Sequence, residues 1–310
     1  MLITIMILAG LMLLFLGGHF LVQHAVLLAE KLGLSPLVIS MTIVAFGTSA
    51  PELVVTIDAL LNDYGDLVLG NIIGSNIANM MLVLPLAAII FPLTVPKAIV
   101  WREGGVMVGA TLLFAGFCLM GVLSVLAGAV LLLALAAFMA FSLLYSDQSS
   151  HQASSISKDE NPSSGITTHG VIIILSLLAL AGGSRLFVEG AVDLSRLLGV
   201  SEAVIGLTVV AVGTAAPELV TMAIAAWQKQ TDVVVGNVLG SNIFNLLAIG
   251  GVAAMITPIA VDDHFIEVDL PLLALISMAL VVLALILPRI GRRSGVVLLA
   301  GYAAYTALLF

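Results

Sequence analysis

Ten stretches of this sequence are apolar and long enough to cross a lipid bilayer, and they limit the possible folds more than any other feature. They span residues 2–29, 36–60, 67–91, 104–121, 124–145, 167–196, 203–226, 233–256, 269–287 and 294–310. Charged residues make up only 9% of the chain, whereas a soluble domain usually carries about 25%. So few charges cannot cover the surface of a water-soluble protein. We therefore predict an all-α membrane protein with ten transmembrane helices.

A polar, serine-rich segment lies between the fifth and sixth spans. Residues 146–168 contain almost no large apolar side chain, so they cannot bury a core and are expected to form a flexible linker. The linker separates a first five-helix repeat, residues 1–145, from a second five-helix repeat, residues 169–310.

The positions of the basic residues predict the orientation in the membrane. If the N-terminus lies outside, most Lys and Arg residues fall on the inner side, as the positive-inside rule requires. These are Lys31, Lys97, Arg102, Lys158, Lys229, Arg289, Arg292 and Arg293. We expect both termini outside, the linker in the cytoplasm, and a multi-pass protein of the cell (inner) membrane. The net charge of −8 gives no basic patch for nucleic acid.

The two halves of the chain contain an internal repeat. Residues 33–79 align with residues 199–245 at a constant offset of 166, and 24 of the 47 positions are identical. The identities include Gly, Thr, Pro, Glu, Ser and Asn, which chance similarity between apolar segments does not produce. Because each half has an odd number of spans, the second half must enter the membrane in the opposite direction. This is the inverted repeat of many secondary transporters, whose substrate sites lie where the repeats meet.

Each repeat contains a break inside a predicted helix. Gly47 and Pro51 fall within the second span, and Gly213 and Pro217 fall within the seventh. Proline has no N–H for the carbonyl four residues earlier and clashes with it. We therefore expect the carbonyls of residues 45–47 to be free to face a ligand.

Both repeats carry a glutamate close behind the break. Glu52 and Glu218 lie in apolar spans, where an acidic residue costs roughly 2.5–3.5 kcal/mol, and no Lys or Arg lies near them in sequence. Side chains four residues apart share a helix face, and such pairs are Thr48 with Glu52, Thr214 with Glu218, Ser75 with Asn79, and Ser241 with Asn245. All are hard oxygen donors, which suit Na⁺, Ca²⁺ or Mg²⁺. Two carboxylates match one divalent or two monovalent cations, and this competition predicts antiport.

Some polar residues have equally good structural interpretations. A lone glutamate in a spanning helix can be protonated and merely tolerated, but two at equivalent positions behind Gly-Thr-x-x-Pro argue for a site. For Asn76 and Asn242, hydrogen bonds to the backbone at helix contacts remain as good an explanation as ion binding. We interpret His19 and His24 as hydrogen-bonding residues between helices.

The repeat motifs resemble the α-repeats of the cation/calcium antiporter superfamily, in particular its prokaryotic sodium/calcium exchanger branch. The motifs are GTSAPE and GSNIAN in the first half, and GTAAPE and GSNIFN in the second. The resemblance covers essentially the whole chain. It implies that inward movement of Na⁺ drives Ca²⁺ out by alternating access, with helices one and six sliding against the other eight. The site residues that it implies are Ala45 (backbone), Thr48, Ser49, Glu52, Ser75, Asn79, Ala211 (backbone), Thr214, Glu218, Ser241 and Asn245.

Two departures from the family pattern affect this site. Ala215 replaces the usual second-repeat serine, so one hydroxyl is missing. Asn245 occupies a position that is often Asp, which argues against a potassium-dependent mode and leaves Glu52 and Glu218 as the only central acids.

Other functions remain open at this point. Proton-coupled exchangers of the superfamily tend to carry Gly-Asn-x-x-Glu, whereas this chain has Gly-Thr-x-x-Pro-Glu, so we favour sodium coupling over coupling to H⁺. A passive cation channel is a second class. An intramembrane enzyme is a third, but no nucleophile–base pair or HExxH motif supports it. We expect no permanently bound cofactor, since Ca²⁺ and Na⁺ are transported, and a monomer in the lipid bilayer without a protein partner.

Overall fold

The chain forms a bundle of helices in a computed structural model, which describes residues 2–62, 64–144, 165–199, 211–287 and 289–308. The helices are α1 (Leu2–Leu32), α2 (Pro36–Thr48), α3 (Ala50–Leu61), α4 (Gly65–Ile90), α5 (Lys97–Cys118), α6 (Val125–Leu144), α7 (Ile166–Leu197), α8 (Ala211–Thr214), α9 (Ala216–Trp227), α10 (Thr231–Ile256), α11 (Phe265–Ile286) and α12 (Arg292–Leu308). Within the described ranges, seven helices are long and apolar enough to cross a membrane, and the bent pair α2 and α3 makes an eighth. The predicted all-helical membrane class is therefore confirmed.

Most helix bounds lie within a few residues of the predicted spans. The fourth span was predicted from residue 104, but α5 begins at Lys97. The difference arises because Lys97, Arg102 and Glu103 lower the local hydropathy, although the backbone is already helical there. Likewise α7 begins at Ile166, so the end of the predicted linker is helical. Residues 145–164, which hold the rest of the linker, and residues 200–210, in the seventh span, lie outside the described residues.

The sequence repeat is also a repeat of secondary structure. The bounds of α3 and α4 recur at the offset of 166 as those of α9 and α10. A π-helical segment interrupts α4 at Asn79–Val83, and another interrupts α10 at Asn245–Ile249. Equivalent sequences therefore form equivalent helices, including the local widening of the helix.

The two longest helices, α1 and α7, pack against each other in antiparallel directions. Near the start of α1, a Cβ at Gly10 would lie 2.6 Å from the Phe187 nitrogen of α7. Near the end of α1, His24 Nδ1 lies 2.8 Å from His169 Nδ1, close to the start of α7. Glycine permits this close approach of the backbones, as small residues do in membrane bundles. The histidine contact confirms His24 as a hydrogen-bonding residue between helices.

The short connections between helices pair with each other across the two halves, at both ends of the bundle. Strand β1 (Val122–Leu123) follows α5 and pairs with β2 (Ile259–Ala260), which precedes α11. A bridge between Leu93 and Ile290 joins the connection before α5 to the one after α11. The equivalent helices α5 and α11 therefore begin at opposite ends of the bundle.

Helices α4 and α10 are the most buried of the long helices. The halves also approach closely where α10 meets α2, because a Cβ at Gly240 would lie only 2.6 Å from Met41 Cα. The Ser40 hydroxyl of α2 also donates a hydrogen bond to the Val233 carbonyl of α10, at 2.7 Å. This contact places the bend after α2 beside the polar residues of α10.

Candidate cation site

The site is built around two helix breaks with the same backbone geometry. Between α2 and α3 the axis bends by 41°, and Ser49 at the break has φ −83° and ψ 4°. Between α8 and α9, Ala215 has φ −82° and ψ 1°. Each break is followed by a proline in the first turn of the next helix, a position that proline favours because its fixed φ suits a helix start. The predicted interruptions are thus present in both halves.

Glu52 and Glu218 lie in the first turns of α3 and α9. The unpaired N–H groups of a helix N-terminus favour a negative charge there. The two residues are buried, with 4% and 2% of their surfaces exposed. They are also close enough to interact electrostatically. In the part of the chain that the structure describes, neither forms an ion pair, and Oε2 of each accepts no hydrogen bond. Buried carboxylates without a countercharge are costly, and a cation would offset that cost.

Polar groups from both halves surround Glu218. The Ser49 hydroxyl donates to Glu218 Oε1 at 3.4 Å, and the Thr48 hydroxyl is also within hydrogen-bonding reach of this carboxylate. On the other side of Thr48, Asn237 Nδ2 donates to Thr48 Oγ1 at 3.5 Å. The Ser241 hydroxyl in turn donates to Asn237 Oδ1 at 2.7 Å. Four of the sequence-predicted residues are therefore brought together across the boundary between the halves.

A second contact between the halves joins Ser75 and Asn245. Asn245 Nδ2 donates to Ser75 Oγ at 3.0 Å, while Asn245 Oδ1 accepts no hydrogen bond from the described residues. Asn245 and its equivalent, Asn79, are both buried, and each begins a π-helical segment. Such segments frequently occur at functional sites in proteins, because they redirect side chains within a helix.

The expectation of free carbonyls at the first break is wrong for Ala45. Its carbonyl accepts the Ser49 N–H at 3.0 Å and the Thr48 hydroxyl at 3.4 Å. The reason is that Pro51 removes the donor of Gly47, four residues earlier, and leaves that of Ala45 intact. In the second half the corresponding Gly213 carbonyl accepts the Ser184 hydroxyl of α7 at 2.6 Å.

The remaining predicted residues of the second break are less fully described. Ala211 is the first residue of α8, and Thr214, half-buried, is the last. Both precede the break at Ala215, as the alignment predicts.

Sequence reasoning missed two asparagines that hold the site in place. Asn71 Nδ2 donates to the Glu52 carbonyl at 3.1 Å and to Thr56 Oγ1 at 2.9 Å, which ties α4 to α3. Asn237, its equivalent at the offset of 166, links Thr48 and Ser241. The signal was present in the sequence, because both residues follow glycine within the aligned GNxxGSN motif.

The asparagines and histidines with open interpretations now have observed contacts. Asn76 Nδ2 and Asn242 Nδ2 donate to carbonyls one turn earlier in their own helices, each at 2.7 Å. Their Oδ1 atoms accept no hydrogen bond from the described residues. His19 Nδ1 lies 3.1 Å from Gln228 Nε2, so His19 also contacts a residue beyond its own helix.

Comparisons with known proteins agree with this geometry. Residues 2–144 and 168–310 match the sodium/calcium exchanger protein family. The chain belongs to the sodium/calcium exchanger family. The resemblance found in the repeat motifs is therefore confirmed, and the chain is a multi-pass membrane protein.

Three relatives illustrate how completely the family match covers this exchanger-family chain. The inner membrane protein YrbG of Escherichia coli is 31% identical, over 100% of this chain and 97% of the relative. The sodium/calcium exchanger MaX1 of Methanosarcina acetivorans is 31% identical, over 99% and 98% of the two chains. A structure of the sodium-calcium exchanger NCX_Mj, soaked with 2.5 mM Na⁺ and 0.1 mM Ca²⁺, superposes with a TM-score of 0.87 at 31% identity. The match covers 100% of this chain and 99% of that one.

Proposed function

We propose that this protein exchanges Na⁺ for Ca²⁺ across the membrane as a secondary active antiporter. The observation that carries the proposal is the pair of buried carboxylates, Glu52 and Glu218, each with an oxygen that accepts no hydrogen bond from the described residues. Relatives that cover the whole chain are named sodium/calcium exchangers, which supports these two ions over other hard cations.

The proposed architecture has ten transmembrane helices in two inverted five-helix repeats, residues 1–145 and 169–310, joined by a polar linker at 146–168. Two observations support the inversion. The equivalent helices α1 and α7 run antiparallel. The equivalent helices α5 and α11 begin at opposite ends of the bundle. Together with the basic loops, this favours an inner-membrane protein with both termini outside and the linker in the cytoplasm.

The proposed ligands of the transported ions come from both halves. They are Ala45 and Ala211 through their backbones, and the side chains of Thr48, Ser49, Glu52, Ser75, Asn79, Thr214, Glu218, Ser241 and Asn245. The hydrogen bonds from Ser49 to Glu218 and from Asn245 to Ser75 cross between the halves and support a site shared by them. For Ala45 the support is weakest, since its carbonyl already accepts two donors.

The mechanism follows from the charge of the site. One Ca²⁺ or two Na⁺ neutralise two carboxylates, whereas the empty site holds uncompensated negative charge in a medium where ions are poorly solvated. The loaded protein can therefore change its accessible side more readily than the empty one. This coupling makes each outward Ca²⁺ step depend on the return of Na⁺. Asn71 and Asn237 keep their partners in place during this cycle.

The decisive experiment measures radioactive Ca²⁺ uptake into proteoliposomes containing the purified full-length chain. We expect an outward Na⁺ gradient to drive uptake in the wild type, and Glu52→Gln or Glu218→Gln to abolish it. Glu189→Gln is the matched control, because Glu189 is a half-exposed carboxylate that pairs with Arg185 on the surface of α7. Full activity of either central variant would refute the proposal.

The same vesicles separate the alternatives. Uptake driven only by a pH gradient would assign the protein to proton-coupled exchange of Ca²⁺ or another divalent cation. Uptake that needs no counter-ion would indicate a passive channel. Activity that is unchanged when one protomer is present per vesicle would support the expected monomer.

A further inference from the structure

An apolar groove lies on the outer surface of the bundle. It is formed by α11, by the first turns of α12 and by the π-helical segment of α4, and it has a volume of about 530 Å³. This volume falls within the range of about 300–1,000 Å³ that is typical of small-molecule pockets. Leu275 and Val297, which line the groove, are 61% and 70% exposed, so the groove opens to the surrounding membrane.

One end of the groove is basic. Apart from Arg293 and Ser294, all the lining residues are apolar. Arg293 is exposed, and it lies beside Arg292 and close in sequence to Arg289, both also exposed. The Leu93–Ile290 bridge holds the connection that precedes Lys97 against this end.

Among the described residues, no carboxylate forms an ion pair with these positive charges. The sequence from residue 270 to residue 310 contains no Asp or Glu. Within the described ranges, the ion pairs involve other arginines, and Arg292 donates only through Nε, to the Ile89 carbonyl at 2.9 Å. A cluster of unpaired arginines is notable in a chain with a net charge of −8. These exposed arginines can bind an anion, and the adjacent groove can hold an apolar chain.

We propose that this groove binds one anionic phospholipid, with an acyl chain between α11 and α12 and its phosphate at Arg293. The acyl chain gains little free energy by moving from the bilayer into the groove, because the surrounding lipid tails are as apolar as the groove. Selectivity must therefore come from the head group, and basic pockets between helices on the cytoplasmic side recognise anionic lipids. The same end of the bundle is the cytoplasmic one in the proposed topology.

The test counts lipids that remain bound to the intact protein in native mass spectrometry. Phosphatidylglycerol and phosphatidylcholine with identical acyl chains are compared, and glycerol 3-phosphate serves as the head group without chains. We expect wild-type protein to retain one phosphatidylglycerol in preference to phosphatidylcholine. Arg293→Gln should reduce that preference about fivefold, since each basic residue near an anionic surface contributes about that factor. Arg293→Lys should keep most of it.

Two further variants separate the contribution of the lipid head group to binding from that of the acyl chain. Ala279→Phe should reduce retention of both lipids, because Ala279 lines the groove and is exposed, so the larger ring fills the groove without entering the core. Arg185→Gln, which removes an exposed arginine on α7, should change neither. An unchanged lipid preference in Arg293→Gln, or unchanged retention in Ala279→Phe, would overturn the proposal. Equal binding of glycerol 3-phosphate would identify a phosphate site instead of a lipid site.

Discussion

The two helix breaks have the same backbone geometry but different hydroxyl groups. Ser49 at the first break donates to Glu218 of the other half, whereas Ala215 at the second break has no side-chain donor to offer Glu52. The two long helices, α1 and α7, also differ in the side chain that they carry at one equivalent position. Ser184 of α7 donates to the Gly213 carbonyl, but its equivalent in α1, at the offset of 166, is Gly18.

The comparison teaches that a symmetric backbone can carry an asymmetric site. The repeat fixes where the carboxylates and the breaks lie, because those positions are identical in both halves. Single side-chain differences then decide how each carboxylate or carbonyl is hydrogen-bonded. Four predictions, from the largest expected effect to the smallest, test how far equivalent positions in the two halves differ in importance.

The first prediction concerns the glycines of the two GSN motifs. Gly240→Ala would place a Cβ 2.6 Å from Met41 Cα, where backbone must move, and overpacking of this kind costs about 1–3 kcal/mol or more. We expect a clear loss of thermal stability in detergent, together with loss of Ca²⁺ uptake. Gly74→Ala is the matched control, because no described atom beyond the neighbouring backbone of its own helix lies within 4 Å of a Cβ there. Equal loss in both variants would mean that the close contact of α10 with α2 is not the cause.

The second prediction compares the two positioning asparagines. Asn237→Ala removes the partner of both Thr48 and Ser241, and buried polar groups left without partners cost about 1–3 kcal/mol. The apparent affinity for Ca²⁺ should therefore fall by about 5- to 150-fold. Asn71→Ala should have a smaller effect, since Asn71 is half-buried and water can replace its amide. The measurement is a Ca²⁺ titration of Na⁺-driven uptake. A larger loss of apparent affinity in Asn71→Ala than in Asn237→Ala would contradict the prediction that the second-half asparagine matters more.

The third prediction moves the hydroxyl from one break to the other. The hydrogen bond from Ser49 to Glu218 is long, at 3.4 Å, so Ser49→Ala should cost about 1 kcal/mol and weaken apparent Ca²⁺ affinity roughly fivefold. Ala215→Ser adds a hydroxyl at the equivalent place. If the two carboxylates are interchangeable, the double variant should recover most of the lost affinity. No recovery would show that Glu218 depends on its donor in a way that Glu52 does not.

Much of the fold was predictable because long apolar stretches and identical polar motifs both depend on local sequence. The breaks at Ser49 and Ala215 follow from proline, and burial of Glu52 and Glu218 follows from their place in apolar spans. The start of α5 was missed, because charged residues at a helix end hide a helix from hydropathy. The roles of Asn71 and Asn237 were missed for a different reason. Their partners lie on other helices, and periodicity carries no information about contacts between helices.

The carbonyl at the second break gives the smallest but most informative prediction. Pro217 leaves the Gly213 carbonyl without its usual donor, and the Ser184 hydroxyl replaces that donor at 2.6 Å. If α1 and α7 slide against the other helices, as the family resemblance implies, Gly18 would come to the equivalent place at the first break, where it offers no hydroxyl. Ser184 would then stabilise one access state over the other by about 0.5–1.5 kcal/mol, or roughly two- to tenfold in population.

Ser184→Ala should accordingly shift the ratio of the apparent Ca²⁺ affinities on the two faces of oriented proteoliposomes, by about two- to tenfold. Gly18→Ser in that background should move the ratio further in the same direction. A Cβ at Gly18 would come within 2.8 Å of the movable end of the Ile224 side chain, and the next atoms, Val220 Cγ1 and Thr221 Cα, lie at ordinary contact distances of 3.4 and 3.5 Å, so the serine can be accommodated. Ser184→Thr keeps the hydroxyl and is the control. A ratio that stays constant in all of these variants would mean that the hydrogen bond forms in both access states, and that the asymmetry of the long helices serves packing alone.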